Sequence, residues 1–290
     1  MSFILFAQAH GVEIDPNRLY SSDRIKRCGT VDKPRSTNGA YFWDGKRGWV
    51  FNWATEARVQ WYNDPDAKPW TEAEKQAMAA KRRQGQDEQA KRYAEAAVYA
   101  DGQLQQATME NHPYLEIKGF KEEMGLVLDS KLLIPMFNVT THALQGFQSI
   151  FWNEPERKYE KKMLTGMKAK HGVFWMGSKT ASETFLVEGY ATGLSLRYAL
   201  RKMGSNASVL VCFSAGNLVQ VSNMIPGKKF VFADNDESGV GEAAAKETGL
   251  PYCMSPTVGY DANDEHKKNG VFSVIKIVVD MKRSVLTPVE

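Results

Sequence analysis

Near the C-terminal end of the sequence, short apolar runs alternate with stretches of helical pattern, and acidic residues stand where the runs stop. The runs are residues 184–187, 209–213 and 230–233. Such alternation argues for βαβ units around a parallel, buried sheet. Glu188 follows the first run, and Asp234 and Asp236 follow the third. In an open α/β sheet, ligands bind at the carboxyl ends of the strands. Carboxylates placed there can hold a hard divalent cation such as magnesium. Ordinary loop acids that cap helices and stay solvated are the plainer explanation. That explanation fits one acid better than a Glu-Gly after one strand and an Asp-x-Asp after another.

The chain has 290 residues, enough for one large domain or two ordinary ones, and 43% of them are hydrophobic, enough for a sizeable core. A net charge of +3 leaves any nucleic-acid partner to be argued from local clustering. Cys28, Cys212 and Cys253 are far apart in sequence and form no C-x-x-C pair, so neither a zinc ribbon nor a disulfide framework is expected. Cys212 falls inside an apolar run and reads as a small core residue. The opening MSFILFAQAHGVEI lacks the basic segment of a signal peptide, and no run has the length of a membrane span. A cytoplasmic protein with no membrane partner is expected.

Residues 1–66 read as a small β-rich module behind a helix over residues 3–10. Residues 40–43 and 48–53 flank Asp44-Gly45, a strong hairpin signal. Tyr41, Phe42, Trp43, Trp49 and Trp53 are interleaved with Arg24, Lys26, Arg27, Lys33, Arg35, Lys46 and Arg47. Aromatic and basic residues on a small sheet can stack and track single-stranded nucleic acid. Bulky side chains filling a tiny core under a solvated basic rim account for the same pattern slightly better. Residues 67–110 read as a polar linker helix, started by a Thr71/Glu74 capping box with Trp70 as staple, and interrupted near Gly85 and Gly102. Residues 111–180 form a basic subdomain, with strands over 132–137 and 146–152. A cluster of Lys158, Tyr159, Lys161, Lys162, Lys168, Lys170 and His171 follows, where a polyanion backbone or a triphosphate could lie. In the α/β part, residues 181–290, helices are expected over 191–203, 218–224, 241–248 and 271–281, with a short strand at 252–254. A loop, GYDANDEHKKNG, supplies Asp261 and Asp264.

FLVEGYATGLSL, FVFADNDESGVGEAAA and YDANDEHKKNG resemble the three acidic motifs of a Toprim domain. This is the metal-binding module of DnaG-type primases, topoisomerases of types IA and II and some nucleases. The phrasing VEGYAT, the segment Phe213–Asn217, the D-N-D and the terminal D-x-N-D look most like plasmid- and phage-borne primases of the TraC type. HPYLEIKG and LLIPMFN resemble segments of the primase core. Lys158-Tyr159 and Lys170 resemble the family's Lys-Tyr pair and second lysine, KHGVFWMG matching the latter's context only loosely. NGAYFWDGKRGWVFNW resembles the leading segment of such proteins.

The resemblance implies a Toprim, Rossmann-like parallel sheet, preceded by a mixed α+β basic subdomain and the small N-terminal β-rich module. It implies template-dependent synthesis of short primers on single-stranded DNA by metal-assisted nucleotidyl transfer. Glu188, Asp234 and Asp236 take catalytic roles; these three with Asp261 and Asp264 hold Mg2+ or Mn2+. Lys158, Tyr159, Lys161, Lys162, Lys168 and Lys170 receive template and nucleotide. Single-stranded DNA and nucleoside triphosphates are the expected partners, with a replicative helicase in trans a further one. No zinc motif precedes the core and no P-loop is present. Asn263, an amide inside D-A-N-D, departs from an all-acid cluster. A Toprim nuclease acting on DNA or RNA, or a non-catalytic nucleic-acid-binding accessory protein of replication or recombination, are the alternatives.

Overall fold

Strand pairing and helix packing are given by a computed structural model that describes residues 2–22, 24–53, 55, 58–64 and 71–286. The chain divides between Arg82 and Arg83 into two compact units. In the first, α1 (Phe3–Ala9) is capped by Ser2, and β1 (Val12–Glu13), β2 (Lys26–Thr30), β3 (Gly39–Trp43), β4 (Arg47–Asn52) and β5 (Gln60–Asn63) pair in sequence order. The Asp-Gly turn forms where expected. Asp44 Oδ1 accepts the Lys46 and Arg47 N–H groups at 2.8 and 2.6 Å, and Gly45 supplies the positive φ of 103°. Strand alternation divides the aromatic residues. Tyr41, Val50 and Tyr62 turn inward with Phe3, Ala7, Val12 and Ile14, and Trp43 stacks on Phe3 with ring centroids 4.5 Å apart.

Helix α2 (Glu72–Gln106) runs 35 residues without a break, so Gly85 and Gly102 do not interrupt it. An interior glycine costs about 1 kcal/mol, too little to end a helix otherwise rich in Ala, Gln, Glu and Lys. Every described residue from 72 to 92 is exposed, whereas Ala96, Ala100 and Leu104 pack on the sheet of the second unit. Trp70 and the Glu74 side chain, expected at the helix start, lie outside the described residues.

The second unit is a mixed α/β layer structure on one ten-stranded sheet. After β6 (Thr108–Glu110) and α3 (Pro113–Ile117) come β7 (Gly125–Leu128), β8 (Lys131–Asn138), β9 (Leu144–Asn153), β10 (Lys158–Met163) and β11 (Gly172–Met176). The rest is β12 (Glu183–Val187), α4 (Tyr190–Lys202), β13 (Ser208–Val211), α5 (Ala215–Ser222), β14 (Lys228–Phe232), α6 (Val240–Thr248), β15 (Tyr252–Cys253), α7 (Ala262–Asn269) and α8 (Val271–Leu286). The order is β10-β9-β8-β11-β13-β12-β14-β15, with β6 and β7 alongside β8. β13, β12, β14 and β15 are parallel, and β11 is antiparallel to both β8 and β13.

The parallel strands are apolar because both faces are covered. Phe185, Val187, Val209, Phe230 and Phe232 meet α4 and α8 through Leu194, Leu200, Val274 and Val278. Leu186, Leu210 and Val231 meet α5 and α6 through Leu218, Val221 and Ala245. Each such side chain contributes about 1.5–3 kcal/mol by leaving water. The stretch expected as a loop around 261–269 is instead helix α7, opened by a capping box between Asp261 and Asp264. Helix α5 begins three residues before the expected start, because Ser214 Oγ accepts the Asn217 N–H at 3.2 Å and sets the N-cap there. Among the described residues no helix is long and apolar enough to cross a membrane.

Asn217 joins the two halves of this sheet. Its Nδ2 donates to Gly172 O at 2.8 Å and Cys212 O at 2.9 Å, and its Oδ1 accepts the His171 N–H at 2.8 Å. An Asn217→Ala protein leaves those buried backbone groups without partners. It is expected to lose about 3 kcal/mol in urea denaturation; a loss below about 1 kcal/mol contradicts the role.

Candidate active site

Three acidic side chains and one lysine meet at the rim where the parallel strands end. Glu188 directly follows Val187, the last residue of β12. The pairing with β13 continues past the strand: Cys212 N–H donates to Val187 O and Phe213 N–H to Glu188 O, both at 2.9 Å. Phe213 makes this turn at φ +65°, an uncommon conformation for a side chain of its size. Such outliers are held in place only by their surroundings and often mark functional sites.

Asp234 lies two residues past β14. A Cβ on Gly241 would stand 2.3 Å from the Asp234 carbonyl oxygen, so the entry to α6 must be a glycine for the chain to fold back on Asp234. Asn235 is a strut: its Nδ2 donates to Ser255 O at 2.9 Å and its N–H to Tyr260 O at 3.2 Å. Asp236 turns toward its own loop, accepting the Ser238 hydroxyl and the Gly241 N–H, and these bonds hold its pKa below the ordinary value.

Asp261 is the N-cap of α7. Its Oδ1 accepts the N–H groups of Asn263 and Asp264 at 2.7 and 2.8 Å, and Oδ2 accepts the Thr192 hydroxyl at 2.9 Å. Asp264 closes the capping box by accepting the Asp261 N–H at 3.5 Å. Asn263 is fully buried. Its Nδ2 donates to Lys118 O at 2.8 Å and Ser195 Oγ at 3.0 Å, so this amide ties α7 to α4.

Glu188, Asp234 and Asp261 line an open cavity of about 150 Å3, together with Lys161, Gln148, Thr192 and Phe213. Burial raises the Asp234 pKa to about 7, and Asp261 and Glu188 push the same way against Lys161. Burial and the Asp236 charge raise Glu188. Although Lys161 as a whole residue is exposed, its ammonium end is crowded by protein. That crowding and Lys118 lower its pKa, against the pull of Asp261, Asp234 and Glu188. Among the described residues Asp234 Oδ1 is buried without a hydrogen-bond partner.

The remaining basic candidates are distributed by the period of β10. Tyr159, Lys161 and Met163 share one face of that strand; Lys158 and Lys162 share the other. Lys158 pairs with Glu156 at 2.5 Å and Lys162 with Glu160 at 2.8 Å, and both lysine side chains are largely exposed. Tyr159 packs edge-on to His112, Tyr114 and Trp152. Lys168 and Lys170 lie in the turn before β11, beside His171, and do not line the cavity. Sequence reasoning missed Thr192, Gln148 and Phe213. Thr192 belongs to the quoted VEGYAT stretch, so its nearness to Glu188 was the signal; Gln148 gave none. Among the described residues no three His, Cys, Asp or Glu side chains form a ready-made metal cage.

No family model and no curated protein matches this chain. Among solved structures, it is similar to one described as the structure of the DnaG catalytic core, with 15% identity and a TM-score of 0.36. The likeness covers 53% of this chain and 52% of that one, so the chain spans about half of that structure. A likeness at this level says nothing further about chemistry.

The burial of Asp234, with other acids around it, has a measurable consequence in metal-free protein. Folding raises the Asp234 pKa from 3.8 to about 7, so the folded state loses stability as pH rises through that window. Asp234→Asn is therefore expected to melt a few degrees above wild type at pH 8 in EDTA, with the gap closing toward pH 4. An equal gap at both pH values contradicts the crowding.

Proposed function

We propose that the protein is a template-directed nucleotidyltransferase that makes short oligonucleotides on single-stranded DNA. One observation supports this most: Glu188, Asp234 and Asp261, from three separate segments, share one cavity with Lys161 from a fourth. The motif resemblance points the same way.

Magnesium or manganese suits this donor set. Asp234 Oδ1 has no partner among the described residues, and the pressure that burial, Asp261 and Glu188 put on the Asp234 carboxylate is relieved by a cation. Magnesium usually keeps several waters and takes only one or two carboxylates besides substrate phosphates, so a three-ligand protein cage is not required. Asp234, with Glu188 and Asp261 beside it, would hold the ion. When bound, it neutralises charge on the transferring phosphate and makes the attacking hydroxyl more acidic.

The chain's own groups do the rest. In the reaction a 3′-oxygen bonds to the α-phosphorus, the bond to the β-phosphate bridging oxygen breaks, and pyrophosphate leaves. Glu188, whose proton affinity burial has raised, accepts the hydroxyl proton. Lys161 offers an ammonium to the triphosphate oxygens, where a fixed positive charge stabilises the developing negative charge. The Thr192 hydroxyl and the Asn263 and Asp264 N–H groups hold the Asp261 carboxylate in place beside the cavity.

The test uses single-stranded template, labelled nucleotides and magnesium or manganese. Wild type is expected to make labelled oligomers, and Asp234→Ala none. Lys161→Ala is expected to fall by about 100-fold or more, while Lys158→Ala and Lys162→Ala, on the opposite face of β10, stay within about threefold. Shortened template without new product indicates a nuclease instead. Binding with neither outcome indicates a non-catalytic accessory protein.

A further inference from the structure

The sheet of the N-terminal unit has two aromatic faces, and only one of them is covered by α1. Tyr41, Trp43 and Tyr62 belong to the core beneath that helix. By alternation Phe42, Trp49, Phe51, Trp53 and Trp61 belong to the opposite face, and none of them is part of any core cluster among the described residues. A core that needs bulky side chains therefore explains only half of the aromatic residues in this module.

The face away from α1 is regular. Phe42 pairs directly with Trp49, and Trp49 with Trp61, so three rings form a row across β3, β4 and β5. Directly opposed side chains on such strands stand about 5 Å apart at Cβ. Phe51 continues along β4 and Trp53 follows just past its end, their rings edge to face at 4.6 Å. Trp53 is 60% exposed and Trp61 64%, which is unusual for the largest apolar side chain.

The charge around these rings is mainly positive. Strands β2 to β5 contain no Asp or Glu; the sheet's one acidic strand residue is Glu13, on edge strand β1. The Arg27 guanidinium lies 5.1 Å from the Trp53 ring centroid. The loop bearing Lys33 and Arg35 comes over the same face at the β2 edge, where the Pro34 carbonyl oxygen is 2.2 Å from the Cβ position of Gly29. Asp32 in that loop is turned back onto the Thr30 hydroxyl.

From this face we infer a binding platform for single-stranded nucleic acid, separate from the chemistry proposed at Asp234. Successive bases stack on the exposed rings, and the arginine and lysine side chains meet the phosphates. A row of rings across adjacent strands accepts unpaired bases, whereas a duplex, whose bases are already stacked, leaves the rings unused. An uncharged glycan could also lie on exposed tryptophans, but it has no use for the basic loop or for strands cleared of carboxylates.

The test is binding of a labelled oligothymidylate of about 20 nucleotides to the full chain. It is run in EDTA without nucleotides, so its outcome does not depend on whether the Asp234 site synthesises anything. Wild type is expected to bind with quenching of tryptophan emission, and to weaken steeply as salt rises from about 50 to about 200 mM. Trp53→Ala and Trp61→Ala are each expected to weaken binding about tenfold or more. Trp61→Phe is expected to fall between wild type and Trp61→Ala. Both tryptophans are exposed, so melting curves should not move. Wild-type binding by the double Ala variant, equal affinity for duplex, or binding to neutral dextran with none to the oligonucleotide each overturns the platform.

Discussion

Negative charge packed into a small, partly dehydrated space is the constraint around which the second unit is arranged. Glu188, Asp234 and Asp261 repel one another, and burial denies them much of the water that would otherwise screen them. Lys161 offsets part of this, and the remainder shows in a carboxyl that resists ionisation until about pH 7. A chain selected for stability alone would not gather these groups. Local conflicts of this kind are where function departs from consistent folding. The surrounding parts hold the conflict in place: the glycine at 241 that admits the Asp234 backbone, the left-handed Phe213, the Thr192 hydroxyl on Asp261 and the Asn263 tie between α7 and α4.

The sheet makes this gathering of charge possible. β11 is antiparallel to β8 on one side and to β13 on the other, so an antiparallel meander and a parallel α/β sheet become one surface. One core cluster runs through both, from Tyr114, Leu132 and Ile150 to Phe185, Val187 and Phe232. Lys161, on the outermost meander strand, thereby reaches acids on loops 27 to 100 residues further along the chain. Asn217 fastens the start of β11 to the end of β13, where a small slip would carry Lys161 away from the acids.

Much of this was legible from residues. The apolar runs at 184–187, 209–213 and 230–233 mark β12, β13 and β14 because strands buried on both faces have no polar side to interrupt them. Acids at the ends of those runs located the rim. Other features were hidden for physical reasons. A run of lysines reads as one cluster in sequence, yet a strand sends Lys161 to one side and Lys158 and Lys162 to the other. Asp261 and Asp264 read as loop acids, although their spacing is that of a capping box and a helix follows. Gly85 and Gly102 read as breaks, but no single glycine outweighs its helical neighbours. In the N-terminal unit the sequence reading named Tyr41, Phe42, Trp43, Trp49 and Trp53, passed over Phe51 and Trp61, and did not say which face each would take, which depends on strand register.

The proposed cation-binding site of Asp234, Glu188 and Asp261, faced by Lys161, can be examined by anomalous scattering from crystals soaked in manganese. A single strong peak is expected within about 2.5 Å of an Asp234 carboxylate oxygen, in the cavity that Lys161 lines. Manganese ordered elsewhere, with the Asp234 carboxylate turned away from Glu188 and Asp261, would contradict it.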